Sequence, residues 1–216
     1  MTIFMNHTNE HTTRPGKPAA RLRLHAASAA TAIIALVPSL ANAHADHGVA
    51  VSLSAGFAHP WGGLDHLLAL AGIGLWAAAQ STRQWQAPLV MVLCMLLGAM
   101  ITPMWGLPAM TEPLIATSVL LIGLALTYRC VAPGLPCVAA VSLFGWFHGA
   151  AHASALSGTA ALAGMALGST SALALGWFAG VATSRLLSKL NQQKSQQWVG
   201  TVVALTGLGM LAQHAL

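Results

Sequence analysis

From residue 48 onward the chain alternates long apolar runs with short polar or Pro/Gly-rich breaks. Six runs stand out, about 48–80, 86–104, 111–129, 134–152, 157–187 and 197–214. A membrane-spanning helix needs roughly 20 predominantly apolar residues, so the pattern predicts an all-α polytopic membrane bundle of about six transmembrane helices. The first and fifth runs exceed what a bilayer requires. Each is expected to tilt or to consist of two shorter pieces. The first run, "GFAHPWGGLDHLLALAGIGLWAA" at 56–78, also carries polar residues and Pro60, Gly62 and Gly63. Proline removes a backbone donor and glycine tolerates unusual φ. A break at about 59–63 is therefore expected, with a new half-helix starting near Leu64. Such a break leaves the carbonyls of Phe57 and Ala58 unpaired and able to coordinate a cation.

The N-terminal region follows a different pattern. Arg14, Lys17, Arg21 and Arg23 precede the apolar stretch "LHAASAATAIIALV", Pro38 ends it, and Ala41 and Ala43 occupy the small-residue positions of a cleavage site. This arrangement reads as a secretory signal peptide over residues 1–43, cut after Ala43. Residues 44–216 are then the transmembrane domain, with a mature N-terminus at His44. The signal implies a bacterial inner (plasma) membrane, crossed several times, with the new N-terminus in the periplasm.

Composition supports this class. Charged residues make up 6% of the chain and apolar ones 56%, whereas a soluble domain carries roughly 25% charged residues. The net charge of +5 comes in good part from the leader, and no basic face interleaved with aromatics suggests nucleic acid. With an external N-terminus, Arg83, Arg129, Arg185, Lys189 and Lys194 all fall on the cytoplasmic side, as the positive-inside rule requires. Asp46 and Glu112 fall outside. Trp85, Trp105 and Trp198 lie near span ends, where indole suits the interface. The pairs Gly145/Gly149, Gly164/Gly168 and Gly176/Gly180 predict close helix packing within one bundle. "SKLNQQKSQQ" reads as a polar cytoplasmic loop. Cys94, Cys130 and Cys137 lack metal-like spacing and read as small buried hydrophobes without a disulfide framework.

Polar side chains are costly at membrane depth and usually face a partner or a water-filled path. His148 and His152 in "FHGAAH" are i and i+4, so on a helix they share one face and can chelate one ion. His59 and His66 lie seven residues apart, about 10.5 Å along an unbroken helix, and only the break brings them together with Asp65. Asp65 in the first turn of the second half-helix suits the positive end of the helix dipole. The first run heads inward and the fourth outward, which places both motifs at similar depth on the external side. The predicted metal site is His59, Asp65, His66, His148 and His152. Its N and O donors suit several divalent transition ions. His44 and His47, with Asp46 and the new α-amine, could catch an ion outside and pass it inward.

These two motifs resemble the signatures of the HupE/UreJ family. The His-Pro, Gly-Leu-Asp-His and Gly-Leu-Trp elements of residues 56–78 match the first, and "FGWFHGAAHA" resembles the second. The H-x5-D-H run also looks like a lengthened form of the H-x4-D-H signature of nickel/cobalt transporters. The resemblance implies a secondary permease for nickel, or cobalt, serving hydrogenase or urease. By it His59, Asp65, His66, His148 and His152 inherit the metal-binding role. The family often has a further His and a Glu in the second motif. Here those positions are Ala150 and Ala155, two donors fewer.

The expected function is secondary transport of a divalent transition-metal ion across the inner membrane, not catalysis, with no tightly bound cofactor. Expected partners are the ion itself, membrane lipid, nickel-enzyme maturation proteins and further copies of the chain in a homo-oligomer. Two alternatives stand beside it. One is a membrane-embedded zinc hydrolase, for which Ser142 and Ser154 are the nearby hydroxyls. The other is an accessory that binds metal without transporting it.

Overall fold

The computed structural model describes residues 51–80, 82–106, 109–130 and 134–215. The signal peptide, its cleavage site after Ala43 and the candidate ligands His44 and His47 lie outside the described residues. Among the described residues the chain is all-helical. Its seven helices are α1 (Leu53–Gly62), α2 (Leu64–Ala78), α3 (Gln86–Trp105), α4 (Thr111–Thr127), α5 (Leu135–Ala151), α6 (Gly158–Leu186) and α7 (Lys189–Ala215). Two of them, α3 and α6, are long and apolar enough to cross a membrane. Leu89, Leu93 and Leu97 form an exposed stripe along α3, a face suited to lipid and costly in water.

The helices associate mainly as three pairs, α3 with α5, α4 with α7, and the broken helix α1–α2 with α6. Glycine makes each pair possible. A Cβ at Gly149 would collide with the backbone carbonyl of Met95, and one at Gly98 with that of Trp146. Gly145 meets Met91, while Gly164 and Gly168 meet Leu53 and Phe57 of α1. Gly176 and Gly180 meet Ala71 and Ala78 of α2. The three glycine pairs therefore pack inside the bundle, as close approach of helices in lipid demands.

The register of α6 against α1–α2 shows what the break does. From Phe57 to Ala71 is fourteen residues, yet their partners Gly168 and Gly176 are eight apart. An unbroken helix would advance about 21 Å over the first interval and about 12 Å over the second. The surplus is taken up between the half-helices, where the chain leaves the α6 axis. This detour carries His59 and His66.

The break itself is narrower than the sequence suggests. α1 continues through Pro60 to Gly62, and only Gly63 is extended, at φ −104° and ψ 125°. Phe57 and Ala58 therefore lie within the helical ladder, not at its open end. The carbonyl that loses its donor is that of Gly56, four residues before Pro60. The fifth run, by contrast, is one 29-residue helix. At about 43 Å it exceeds a hydrocarbon core of about 30 Å.

Two further expectations are corrected. The polar segment 188–197 is not a loop, because α7 begins at Lys189. Its Lys, Leu and Gln residues are good helix formers, and no Pro or Gly interrupts them before Gly200. The cysteines are not uniformly buried: Cys130 is exposed and Cys94 and Cys137 are intermediate. Cys130 ends a Schellman motif, its N–H donating to Ala125 O at 2.9 Å around left-handed Arg129. Its carbonyl accepts from Trp76 Nε1 at 2.8 Å, which ties the end of α2 to the end of α4. Cys130 and Cys137 line an apolar cavity of about 270 Å³ beside Trp76.

Candidate metal centre

The site forms where the α1–α2 junction meets the C-terminal end of α5. Ser52 caps α1, its hydroxyl accepting from Ala55 N at 3.1 Å. α1 then delivers His59 one turn before its end. Gly63 separates the half-helices with a backbone conformation open to any residue, so its glycine serves space. A Cβ there would stand 2.6 Å from Asp65 Oδ1 and 3.1 Å from His66 Nδ1.

Asp65 and His66 open α2. Asp65 Oδ1 accepts from the His66 backbone N–H at 2.8 Å and lies 2.9 Å from His66 Nδ1. Asp65 thus occupies the first turn, where the helix dipole favours a carboxylate. On α5, His148 Nδ1 lies 2.9 Å from the carbonyl of Phe144. His152 is the C-cap of that helix.

The structure brings four of the predicted histidines together from both motifs. His66 stands at the centre, its ring centroid 4.7 Å from that of His148 and 4.2 Å from that of His152. His59 meets His152 with centroids 4.2 Å apart and Nε2 to Nδ1 at 2.6 Å. His66, His148 and His152 are buried, at 0%, 0% and 1% exposure, and their Nε2 atoms with them. His59 is half-buried. Asp65 is 13% exposed and touches the cluster through His66.

Imidazoles are strong donors for divalent transition ions. Among the described residues, however, no three His, Cys, Asp or Glu side chains already stand in ligating geometry. The ring spacings explain this. Two imidazoles holding one ion at about 2.1 Å and a tetrahedral angle keep their centres roughly 5 Å apart. The centroids here, at 4.2, 4.7 and 4.2 Å, are closer than that. Ala150 is fully buried beside the cluster and supplies no donor. Ser142 is committed along its own helix, its hydroxyl donating to Val138 O at 2.7 Å.

The pairing of His59 with His152 was not visible in the sequence, because contacts 93 residues apart leave no local pattern. The Phe144 carbonyl was missed for a similar reason, since it acts through its backbone.

Both motifs lie within the stretch that comparison with known proteins matches. The family described as HupE / UreJ protein matches residues 31–210. Protein HupE of Rhizobium leguminosarum bv. viciae is 29% identical over 176 residues, which cover 81% of this chain and 92% of that protein. No solved structure matches.

Proposed function

The chain belongs to the HupE/UreJ family, and from that premise we propose that it moves nickel, or cobalt, across the bacterial inner membrane as a secondary permease. The observation that carries this reading is the meeting of four imidazoles from two distant motifs at a helix break. Buried polar groups at membrane depth mark substrate paths, and discontinuous helices recur at transporter binding sites.

In this reading six spans cross the bilayer, α1 and α2 together forming the first. The mature N-terminus is periplasmic. Arg83, Arg129, Arg185, Lys189 and Lys194 sit at the cytoplasmic end, opposite the histidines. The ion arrives from the periplasm, first meets His59 and the more remote His44 and His47, and passes to His66, His148 and His152. Asp65 supplies negative charge next to the cation. In this scheme the path inward is closed by the apolar core to which Leu70, Met91 and Val119 belong, each 0% exposed. Release inward therefore requires helices to part on that side.

The deciding experiment is uptake by the purified protein in liposomes, comparing Ni²⁺, Co²⁺, Zn²⁺ and Cu²⁺. Accumulation of nickel or cobalt by the protein alone supports a permease. Tight binding without accumulation favours the accessory reading. Zinc binding with hydrolytic turnover favours the enzyme.

Two measurements test parts of the scheme. Imidazole ligates only when unprotonated, so external acid competes with the ion. Uptake is expected to fall as the external medium is made more acid, because protons and the ion compete for the same ring nitrogens. A flat profile to pH 5 would argue against histidine capture. For topology, a membrane-impermeant maleimide should modify exposed Cys130 in inside-out vesicles and spare it in intact spheroplasts. Labelling from outside would invert the proposed orientation.

A further inference from the structure

The bonds around the cluster divide its residues into ligands and supports. We propose that the ion's imidazole donors are Nε2 of His66, His148 and His152, and that Asp65 is a positioning residue which orients His66 rather than a ligand. This assignment rests on the preceding reading that the cluster receives a divalent metal ion.

The argument comes from which atoms can donate. A carboxylate oxygen and a backbone carbonyl only accept hydrogen bonds. His66 Nδ1, 2.9 Å from Asp65 Oδ1, must therefore carry its proton towards the carboxylate. His148 Nδ1, 2.9 Å from Phe144 O, must carry its proton towards that carbonyl. A neutral imidazole holds one N–H, so in both rings Nε2 keeps the lone pair. His152 Nδ1 lies 2.6 Å from His59 Nε2 and is engaged there. When His152 donates in that bond, its Nε2 also keeps its lone pair. All three Nε2 atoms are buried, and the three rings meet at His66.

Asp65 has a different geometry. One of its oxygens already serves two donors of the following residue, the backbone N–H and Nδ1–H. This is the carboxylate–histidine–metal arrangement, in which the acid fixes the tautomer and raises the basicity of the ring. With His152 as the donor in their bond, His59 orients it from the more exposed side. Gly63 leaves the room that the Asp65–His66 contact occupies.

The two roles of Asp65 separate in the variant Asp65→Asn. Its side-chain carbonyl can still accept from His66, whereas it is a poor substitute for an anionic ligand. The experiment loads Co²⁺ onto purified full-length protein and reads affinity by titration and first-shell imidazole count by X-ray absorption. Wild type should show three imidazoles. Asp65→Asn should keep three, with affinity falling less than about tenfold, while Asp65→Ala should lose about 10–100-fold. His59→Gln should also keep three imidazoles. The assignment is overturned if Asp65→Asn falls as far as Asp65→Ala and the wild-type spectrum contains a carboxylate. Loss of one imidazole in His59→Gln overturns it equally. A wild-type protein that binds no Co²⁺ or Ni²⁺ removes the proposed function and this assignment with it.

Discussion

Cells producing the His66→Ala protein should accumulate nickel or cobalt at less than about a hundredth of the wild-type rate. Loss of a group that merely orients a ligand costs about 10–100-fold in metal affinity, and His66 is placed to be a ligand itself. Its ring is the one that touches both His148 and His152. Removing it leaves those two on one helix, with a gap where the α2 donor stood. Asp65 Oδ1, 2.9 Å from Nδ1, loses that donor and keeps the backbone N–H of residue 66. The same substitution at His214, exposed near the end of α7, should leave uptake unchanged. Protein level in the membrane fraction separates lost transport from lost protein. Wild-type uptake by His66→Ala at normal abundance would sink the metal-path reading.

The two histidine motifs were legible in the sequence because each is a local pattern. His148 and His152 lie one helical turn apart, and Pro60, Gly62 and Gly63 interrupt an apolar run beside Asp65 and His66. Their meeting was inferred from chain direction alone, and the ring contacts agree with it. What the pattern could not supply was the division of labour. Whether Asp65 faces an ion or its own neighbour depends on a few ångströms of side-chain placement at the start of α2. The exact site of the break was also hidden. Pro60 reads as a helix breaker, yet near a helix end it removes only one donor, and α1 tolerates it.

The helix pairing was partly readable for a reason peculiar to lipid. Spans that are apolar on all sides give little periodic signal for which face meets which. Small residues carry that information instead, since backbones approach where side chains are missing. The glycine pairs thus marked contact faces without naming partners. α6 lies along α1 and α2, and α5 along α3. Neither pairing follows from the spacing of glycines on one helix. The helical start of α7 is hidden because a polar stretch reads as a loop. Hydropathy reports where lipid begins, while helix propensity decides where the helix begins, and around Lys189 the two differ.

The packing yields the second large effect, at Gly149. This residue follows His148 in the last turn of α5, and a Cβ there would strike the carbonyl oxygen, carbonyl carbon and Cα of Met95. Backbone atoms within a helix cannot swing aside as a flexible side chain can, so α5 must move away from α3. Overpacking a tight interior commonly costs about 1–3 kcal/mol, and a clash with backbone belongs at or beyond the top of that range. Gly149→Val should therefore lose about 3 kcal/mol or more of stability, seen as a lower melting midpoint in detergent and reduced membrane abundance. Because His148 and His152 ride on the displaced segment, any protein that survives should also bind Co²⁺ weakly. Gly209→Ala is the matched control, since a Cβ there meets nothing within 4 Å. An exposed helix interior prefers Ala to Gly by about 1 kcal/mol, so that variant should be as stable as wild type or more so. If Gly149→Val melts with the wild type, the close α3–α5 contact is wrong, and the placement of His148 and His152 against His66 falls with it.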